Sequence, residues 1–280
     1  MNKIPVLYHV PKCAGTYSIS LIWELLLVHS GATYCNRLKN TICNVCVLSK
    51  NQKQIELRCI VWDKKLFCKN NSYFKKSETE NDFFLKLDDI HLLQNLNIFA
   101  LIVEAKGFSN HEELLKNFKN IELVPFIFLR DPFSLHCSLY SYLTNSSSIH
   151  EFTHGSFNGL SLNDYMSSFY VSDSWLIRNL LKLEDSQKIS EIEYAKTIKI
   201  LNNFNVSDYK KVEETINNIF SKCYNLNIKR IDDSSYEKIQ KRRNASDMVY
   251  LKLSNLDTET QKKFLERTYW DQKIYDYYLN

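Results

Sequence analysis

A lysine, a glycine and two aliphatic hydroxyl side chains crowd into Lys12-Cys13-Ala14-Gly15-Thr16-Tyr17-Ser18, directly after His9-Val10-Pro11. That set suits the binding of a phosphate or a sulfate. Gly15 lets backbone come close to an anion, and N–H groups at the start of a following helix point at it. The backbone of Cys13, Ala14 and Tyr17 belongs to the same cradle. Lys12 adds a mobile charge just before the turn, while Thr16 and Ser18 add hydroxyl donors. A second set lies further along the chain at Phe128-Leu129-Arg130-Asp131-Pro132, with Ser138 eight residues after Arg130. The Arg130 guanidinium offers a fork of donors to a phosphate dianion. A hydroxyl at Ser138, nearly two turns into the helix that follows, can stand beside it.

Group transfer at such a site also needs a base. Glu104 is the first candidate, because it ends an apolar run between the two anion-facing segments. Partial burial there would raise its pKa toward the value a general base needs near neutral pH. His111 is the second candidate and His9 the third. Each of these residues also has a structural reading. Glu104 can cap the next turn or pair with Lys106, Lys12 can be a solvated loop lysine, and Arg130 can pair with Asp131. Ser138 can be a helix-surface serine, and Arg178 can be one half of a structural ion pair. The cluster Lys238, Lys241, Arg242 and Arg243 reads first as a solvated face.

The elements that must hold these residues are legible as periodicity. Residues 4–10 form a short apolar run, as a strand covered on both faces does, and it breaks at Pro11 to Gly15. An apolar stretch of helical length then runs to Val28. Residues 98–103 and 123–130 are further buried-strand patterns. Asp131 is a natural N-cap and Pro132 a natural first helical residue, so a helix should follow to about Leu143. Helical spacing is expected over 81–95, 110–119, 163–183, 191–203, 209–222 and 258–278, with an edge strand near 226–231. Residues 144–160 read as a loop. The pattern is α/β: a P-loop-like three-layer fold with a central, mostly parallel sheet flanked by helices. Residues 31–75 stand apart as a Cys-rich insertion, expected as one or two hairpins packed beside the sheet. We read 1–280 as a single domain.

Composition narrows the class. An apolar fraction of 44% with 24% charged residues is that of a folded globular chain, and 280 residues suffice for a sizeable core. The net charge of +4 suits an anionic ligand and is too small for a nucleic-acid coat. No run approaches the roughly 18 apolar residues of a membrane span. The N-terminus lacks the long apolar segment and cleavage site of a secretory leader. The expected location is cytoplasmic, the alternative a luminal domain with its anchor removed. Five of the eight cysteines lie between Cys35 and Cys68. Reduced thiols fit best; Cys43-Asn44-Val45-Cys46 with Cys35, Cys59 and Cys68 is the zinc alternative, though it lacks a second close pair. No metal is expected.

The first segment fails as a Walker loop, which places lysine after its second glycine; here lysine precedes the glycine by three residues. Pro11, Lys12, Gly15 and Thr16 instead resemble the 5′-phosphosulfate loop of sulfotransferases, Pro-Lys-x-x-Gly-Thr-[Thr/Ser]. The run His9 to Lys12 is similar to the carbohydrate branch of that family. Tyr17 departs from the pattern, so its backbone rather than its side chain is expected to serve. The segment from Arg130 to Ser138 resembles the family's 3′-phosphate motif, with Leu135 where a second Arg often stands and His136 as a neighbour able to help. Ser174-Trp175-Leu176-Ile177-Arg178, Arg242 to Ser246 and Trp270 to Tyr275 are looser likenesses, and residues 31–95 carry none. The resemblance implies transfer of sulfuryl from 3′-phosphoadenosine 5′-phosphosulfate (PAPS) to an acceptor hydroxyl, on a glycan in the branch named, leaving PAP. Lys12 would stabilise the leaving group, and no metal would be required. Two other readings are a nucleotide-dependent kinase with an atypical phosphate loop and a binding protein that keeps the fold without catalysis.

Overall fold

An unbroken apolar run can be a strand only if both of its faces are covered, and residues Ile4 to Tyr8 are all buried. The computed structural model describes residues 2–30, 42–48, 54–62, 75–76, 82–86, 98–104, 108, 121–145, 160–169, 171–241 and 251–280. The strands are β1 (Asn2–His9), β2 (Ile42–Leu48), β3 (Gln54–Trp62), β4 (Lys75–Lys76), β5 (Asp82–Lys86), β6 (Ile98–Glu104), β7 (Ile121–Leu129) and β8 (Asn205–Asp208). The helices are α1 (Gly15–Ser30), α2 (Pro132–Asn145), α3 (Leu162–Ser167), α4 (Trp175–Leu181), α5 (Glu191–Leu201), α6 (Val212–Tyr224), α7 (Asp233–Lys241) and α8 (Thr258–Leu279). The expected α/β class is present, with a four-strand all-parallel centre to the sheet. No described helix is long and apolar enough to cross a membrane.

The chain divides into two compact units, Met1–Phe128 with Leu201–Arg243, and Leu129–Ile200 with Asn244–Asn280. In the first, the strand order is β4-β5-β2-β3-β6-β1-β7-β8. β1 pairs in parallel with β6 on one side, ending at His9↔Glu104, and with β7 on the other, ending at Tyr8↔Ile127. The C-terminal ends of three parallel strands therefore lie along one sheet edge. Helix α1 buries Leu21, Ile22, Leu25 and Leu26, the i, i+1, i+4, i+5 spacing of a helix face. Helix α6 packs on β1 and buries Ile216, Ile219 and Phe220. At its end the Tyr224 ring stacks on Phe99 with centroids 4.8 Å apart, and its hydroxyl donates to the Phe99 carbonyl at 2.6 Å.

Three expectations need correction in this unit. Within the Cys-rich segment, β2 and β3 pair antiparallel and β3 pairs antiparallel with β6, so these strands extend the sheet instead of packing beside it. Residues 82–86, expected in a helix, pair in parallel with β2 as a strand; an Asp-Phe-Phe-Leu-Lys run fits either period, and the available edge of β2 decides it. The edge strand expected near 226–231 is instead a 3₁₀ turn at Ile228–Arg230, and the strand falls at Asn205–Asp208.

The second unit is helical. Phe133, Tyr165, Met166 and Phe264 form its core, with the Phe133 and Phe264 rings edge to face at 5.7 Å. The expected helix over 163–183 is broken into α3 and α4. Ser174, at the start of α4, has φ 56° and makes no side-chain cap. Asp271 of α8 replaces that cap, its carboxylate accepting from the Leu176 N–H at 3.2 Å. Arg178 is structural. It is 6% exposed, donates to the Asp173 and Glu184 carbonyls at 2.7 and 2.5 Å, and pairs with the Asp173 carboxylate at 2.9 Å. It thus staples both ends of α4.

Burial pushes Asp271 up to about 7, outweighing the two N–H groups of α4 that favour the carboxylate. A carboxyl whose folded pKa lies above its unfolded one holds its proton in the fold. Its contribution is complete below about pH 4 and is lost as pH rises toward 7. Asp271→Asn keeps an acceptor for Leu176 and removes the titration. The stability of Asp271→Asn relative to wild type should therefore rise between pH 4 and 7, measured as the difference between their denaturation midpoints.

Candidate functional site

Between the end of β1 and the start of α1 the chain has residues 10–14 in which to reverse. The Cys13 N–H donates to the Val10 carbonyl at 3.2 Å, closing a four-residue turn. Pro11 supplies the fixed φ of its first central position. Lys12, at the second, has φ 62°, the left-handed value of a type II turn that glycine normally fills. Ala14 is left-handed as well, at φ 58°, while Cys13 between them is not. Alternation of this kind turns successive N–H groups toward one point, forming a concavity that accepts an anion. Left-handed backbone costs about 1–2 kcal/mol at each non-glycine residue, and such strain gathers at ligand clamps.

Helix α1 continues the cradle. Its first helical bond is Ser18 N–H to the Ala14 carbonyl at 2.8 Å, so the N–H groups of Gly15, Thr16 and Tyr17 precede the intrahelical ladder. No acidic residue of α1 itself sits in its first turn, so none of its own carboxylates opposes an anion there. Gly15 leaves the room that the His9 ring occupies. A β-carbon at Gly15 would lie 1.8 Å from His9 Nε2, so the imidazole at the end of β1 rests directly on the Gly15 backbone. His9, offered by the sequence as a distant third base, is part of the wall of the loop.

The side chains of the loop divide the work. Thr16 is exposed and Lys12 partly exposed. Cys13 is buried, 2% exposed, and forms no disulfide. Ser18 is fully buried, and its hydroxyl donates to the Ala14 carbonyl at 2.9 Å, bracing the turn from within. Tyr17 is also buried and points into the protein, where its hydroxyl donates to Glu213 of α6. The departure from the small hydroxyl residue of the family pattern is thus a side chain turned inward from the loop.

Glu104 is the last residue of β6 and the register partner of His9. Its backbone stands at the same sheet edge as the loop. His111 lies outside the described residues, as do Arg242 and Arg243, while Lys238 is an exposed residue of α7. Among the described residues no group of three or more His, Cys, Asp or Glu is gathered as metal ligands would be.

In the other unit, Arg130 immediately follows β7, and Asp131 caps α2 by accepting from the Ser134 N–H at 2.8 Å, as its type and place predict. The Arg130 guanidinium opposes the burial that pushes the neighbouring Cys137 thiol up to about 11. Ser138 is partly exposed, on the face of α2 that also carries Ser134 and Leu135. His136 points the other way. It is 6% exposed, its Nδ1 is 3.2 Å from the Tyr165 hydroxyl, and its ring packs edge to face on Phe264. Burial lowers its pKa to about 4. The neighbour offered as a helper to Arg130 is a neutral core histidine instead.

No family model, curated protein or solved structure matches the chain. The left-handed residues were not legible, because neither is glycine or asparagine. The seat of His9 on Gly15 follows from the strand-loop-helix pattern only once the turn type is known.

The loop conformation makes two adjacent substitutions differ in sign. Ala14→Gly should raise stability by up to about 1 kcal/mol, since glycine removes left-handed strain but has more freedom to lose on folding. Gly15→Ala should lower stability through the clash with His9. Urea denaturation midpoints of the two variants test the pair.

Proposed function

We propose that the chain is a PAPS-dependent sulfotransferase of a P-loop-like fold, acting on an acceptor hydroxyl carried by a carbohydrate. The observation that carries the reading is the loop after β1, with its left-handed Lys12 and Ala14, its glycine under His9, and its place at a helix N-terminus. That loop supports an anion ligand. Its residues Pro11, Lys12, Gly15 and Thr16, together with Arg130 and Ser138, support PAPS in particular through their likeness to the sulfotransferase motifs. The carbohydrate acceptor rests on the His9 to Lys12 likeness.

In this reading the N–H groups of residues 13–17 and the Thr16 hydroxyl hold the 5′-phosphosulfate, and Arg130 with Ser138 takes the 3′-phosphate. The acceptor oxygen attacks sulfur in line. A new S–O bond forms as the bond from sulfur to the phosphate oxygen breaks, and PAP departs with the electron pair. Lys12 stabilises the negative charge that grows on that oxygen, and Glu104 takes the acceptor proton. Positioning and electrostatics carry such transfers, so donors fixed before the donor substrate arrives are the main contribution of the protein.

PAP should raise the melting temperature of the chain without added divalent ion, and ATP with Mg²⁺ should do little; the reverse result would favour a kinase. Lys12→Ala and Arg130→Ala should each weaken PAP binding by about tenfold or more, as loss of a charge-assisted hydrogen bond does. Glu104→Gln should cut turnover with labelled PAPS and a glycan panel by about a hundredfold or more while leaving PAP affinity near wild type. Absence of PAP binding to the wild-type chain would end the sulfotransferase reading, and full turnover by Glu104→Gln would clear Glu104 as the base.

A further inference from the structure

Glu213 stands where a carboxylate is well supported, in the first turn of α6. Three donors from two other helices converge on it. The Tyr17 hydroxyl from α1 donates to Oε1, the Tyr236 hydroxyl from α7 donates to Oε2 at 2.6 Å, and Gln240 Nε2 from α7 donates to Oε1 at 2.8 Å. Gln240 Nε2 also reaches the Tyr17 hydroxyl at 2.8 Å. Both oxygens of one side chain are therefore used to tie α1 to α7. The tie enters α1 at Tyr17, one residue after Thr16, the last hydroxyl of the exposed loop.

The consequence lies at the loop. The backbone of residues 12–14 is held in a conformation that Lys12 and Ala14 do not prefer, so the flanking elements must hold it there. On the β1 side the hold is the sheet and the His9 ring against Gly15. On the α1 side, Ser18 buttresses the Ala14 carbonyl, and Tyr17 ties the first turn to α6 and α7. Serine or threonine at position 17, as in the family pattern, could not reach Glu213 across the helix interface. The tyrosine is thus an alternative anchor as well as a departure.

We propose that Glu213 is a positioning residue for the anion loop, acting through Tyr17 to hold the first turn of α1, and through Tyr236 and Gln240 to make that hold depend on α7. The inference rests on the sulfotransferase reading only for the identity of the ligand. The geometry it explains is that of the loop itself.

The test compares wild type with Glu213→Ala, Glu213→Gln, Tyr17→Phe and the double variant Tyr17→Phe/Glu213→Ala. The first readout is amide hydrogen exchange of the peptide covering residues 10–18 without ligand, beside a peptide from α8 as an internal control. Glu213→Ala should speed exchange in 10–18 by about tenfold and leave the α8 peptide unchanged. Tyr17→Phe should reproduce most of that effect, and the double variant should add little to Glu213→Ala. Glu213→Gln, which keeps an acceptor, should recover part of the protection. Unchanged exchange in Glu213→Ala, or an equal rise in the α8 peptide, overturns the inference. The second readout is PAP affinity by calorimetry, expected to fall about tenfold in Glu213→Ala. A loosened loop with unaltered PAP affinity would uphold Glu213 as the anchor and remove the loop from the PAP site, so the two claims fail separately. If Glu213→Ala does not fold, Tyr17→Phe alone carries both readouts.

Discussion

A strand buried on both faces cannot bend, and a helix cannot begin until its first N–H groups have somewhere to point. Residues 10–14 connect β1 to α1 under both constraints, and the chain satisfies them with two left-handed residues and a glycine lying under an imidazole ring. Much of the first unit can be understood as holding that connection. The burial of Ile4 to Tyr8 fixes where β1 ends, and the buried face of α1 fixes where the helix starts. The loop between has no freedom to relax its left-handed residues unless one flank moves.

The arrangement has an energetic logic. Two left-handed non-glycine residues cost about 2–4 kcal/mol together, a sizeable share of a typical domain stability of about 5–15 kcal/mol. Glycine at either position would remove that residue's share of the cost. At position 12 it would also remove the only side-chain charge of the turn, and near the strand end it would give the loop many conformations in the unfolded chain to lose. Lysine in a strained, pre-set turn has its backbone already in place, so only its side chain would have to order on an anion, a partial form of preorganisation. Hydrophobic burial of α1 and the Glu213 tie are of the right size to hold such strain.

Much of the frame was legible in the chain itself. Continuous apolar runs located β1, β6 and β7, and Asp131 followed by Pro132 located the start of α2, because local pattern and local capping agree there. Reading failed where a short segment suits two periods. Residues 82–86 became a strand because an edge of β2 was present to pair with, which is tertiary information. The break between α3 and α4 was equally hidden, since the cap of α4 comes from Asp271, almost a hundred residues later. At the candidate site, residue types announced an anion loop, but the inward turn of Tyr17 depended on partners at positions 213, 236 and 240.

Polar residues of functional type separate by what they touch. Arg178, His136 and Asp271 resemble functional residues in type, yet the first two are buried, the third is partly buried, and each is matched to an internal partner: carbonyls at both ends of α4, the Tyr165 hydroxyl, and the N-terminus of α4. Burial has drawn the pKa of His136 down and that of Asp271 up, in both cases toward the neutral form. A neutral, enclosed group contributes to packing and has little to offer a phosphate. Thr16 is exposed and Lys12 and Ser138 keep part of their surface. Charge at a strained turn separates a binding residue from a structural one more sharply than residue type does. By that criterion Lys12, held at φ 62° with part of its surface open, is the loop side chain best placed to meet an anion.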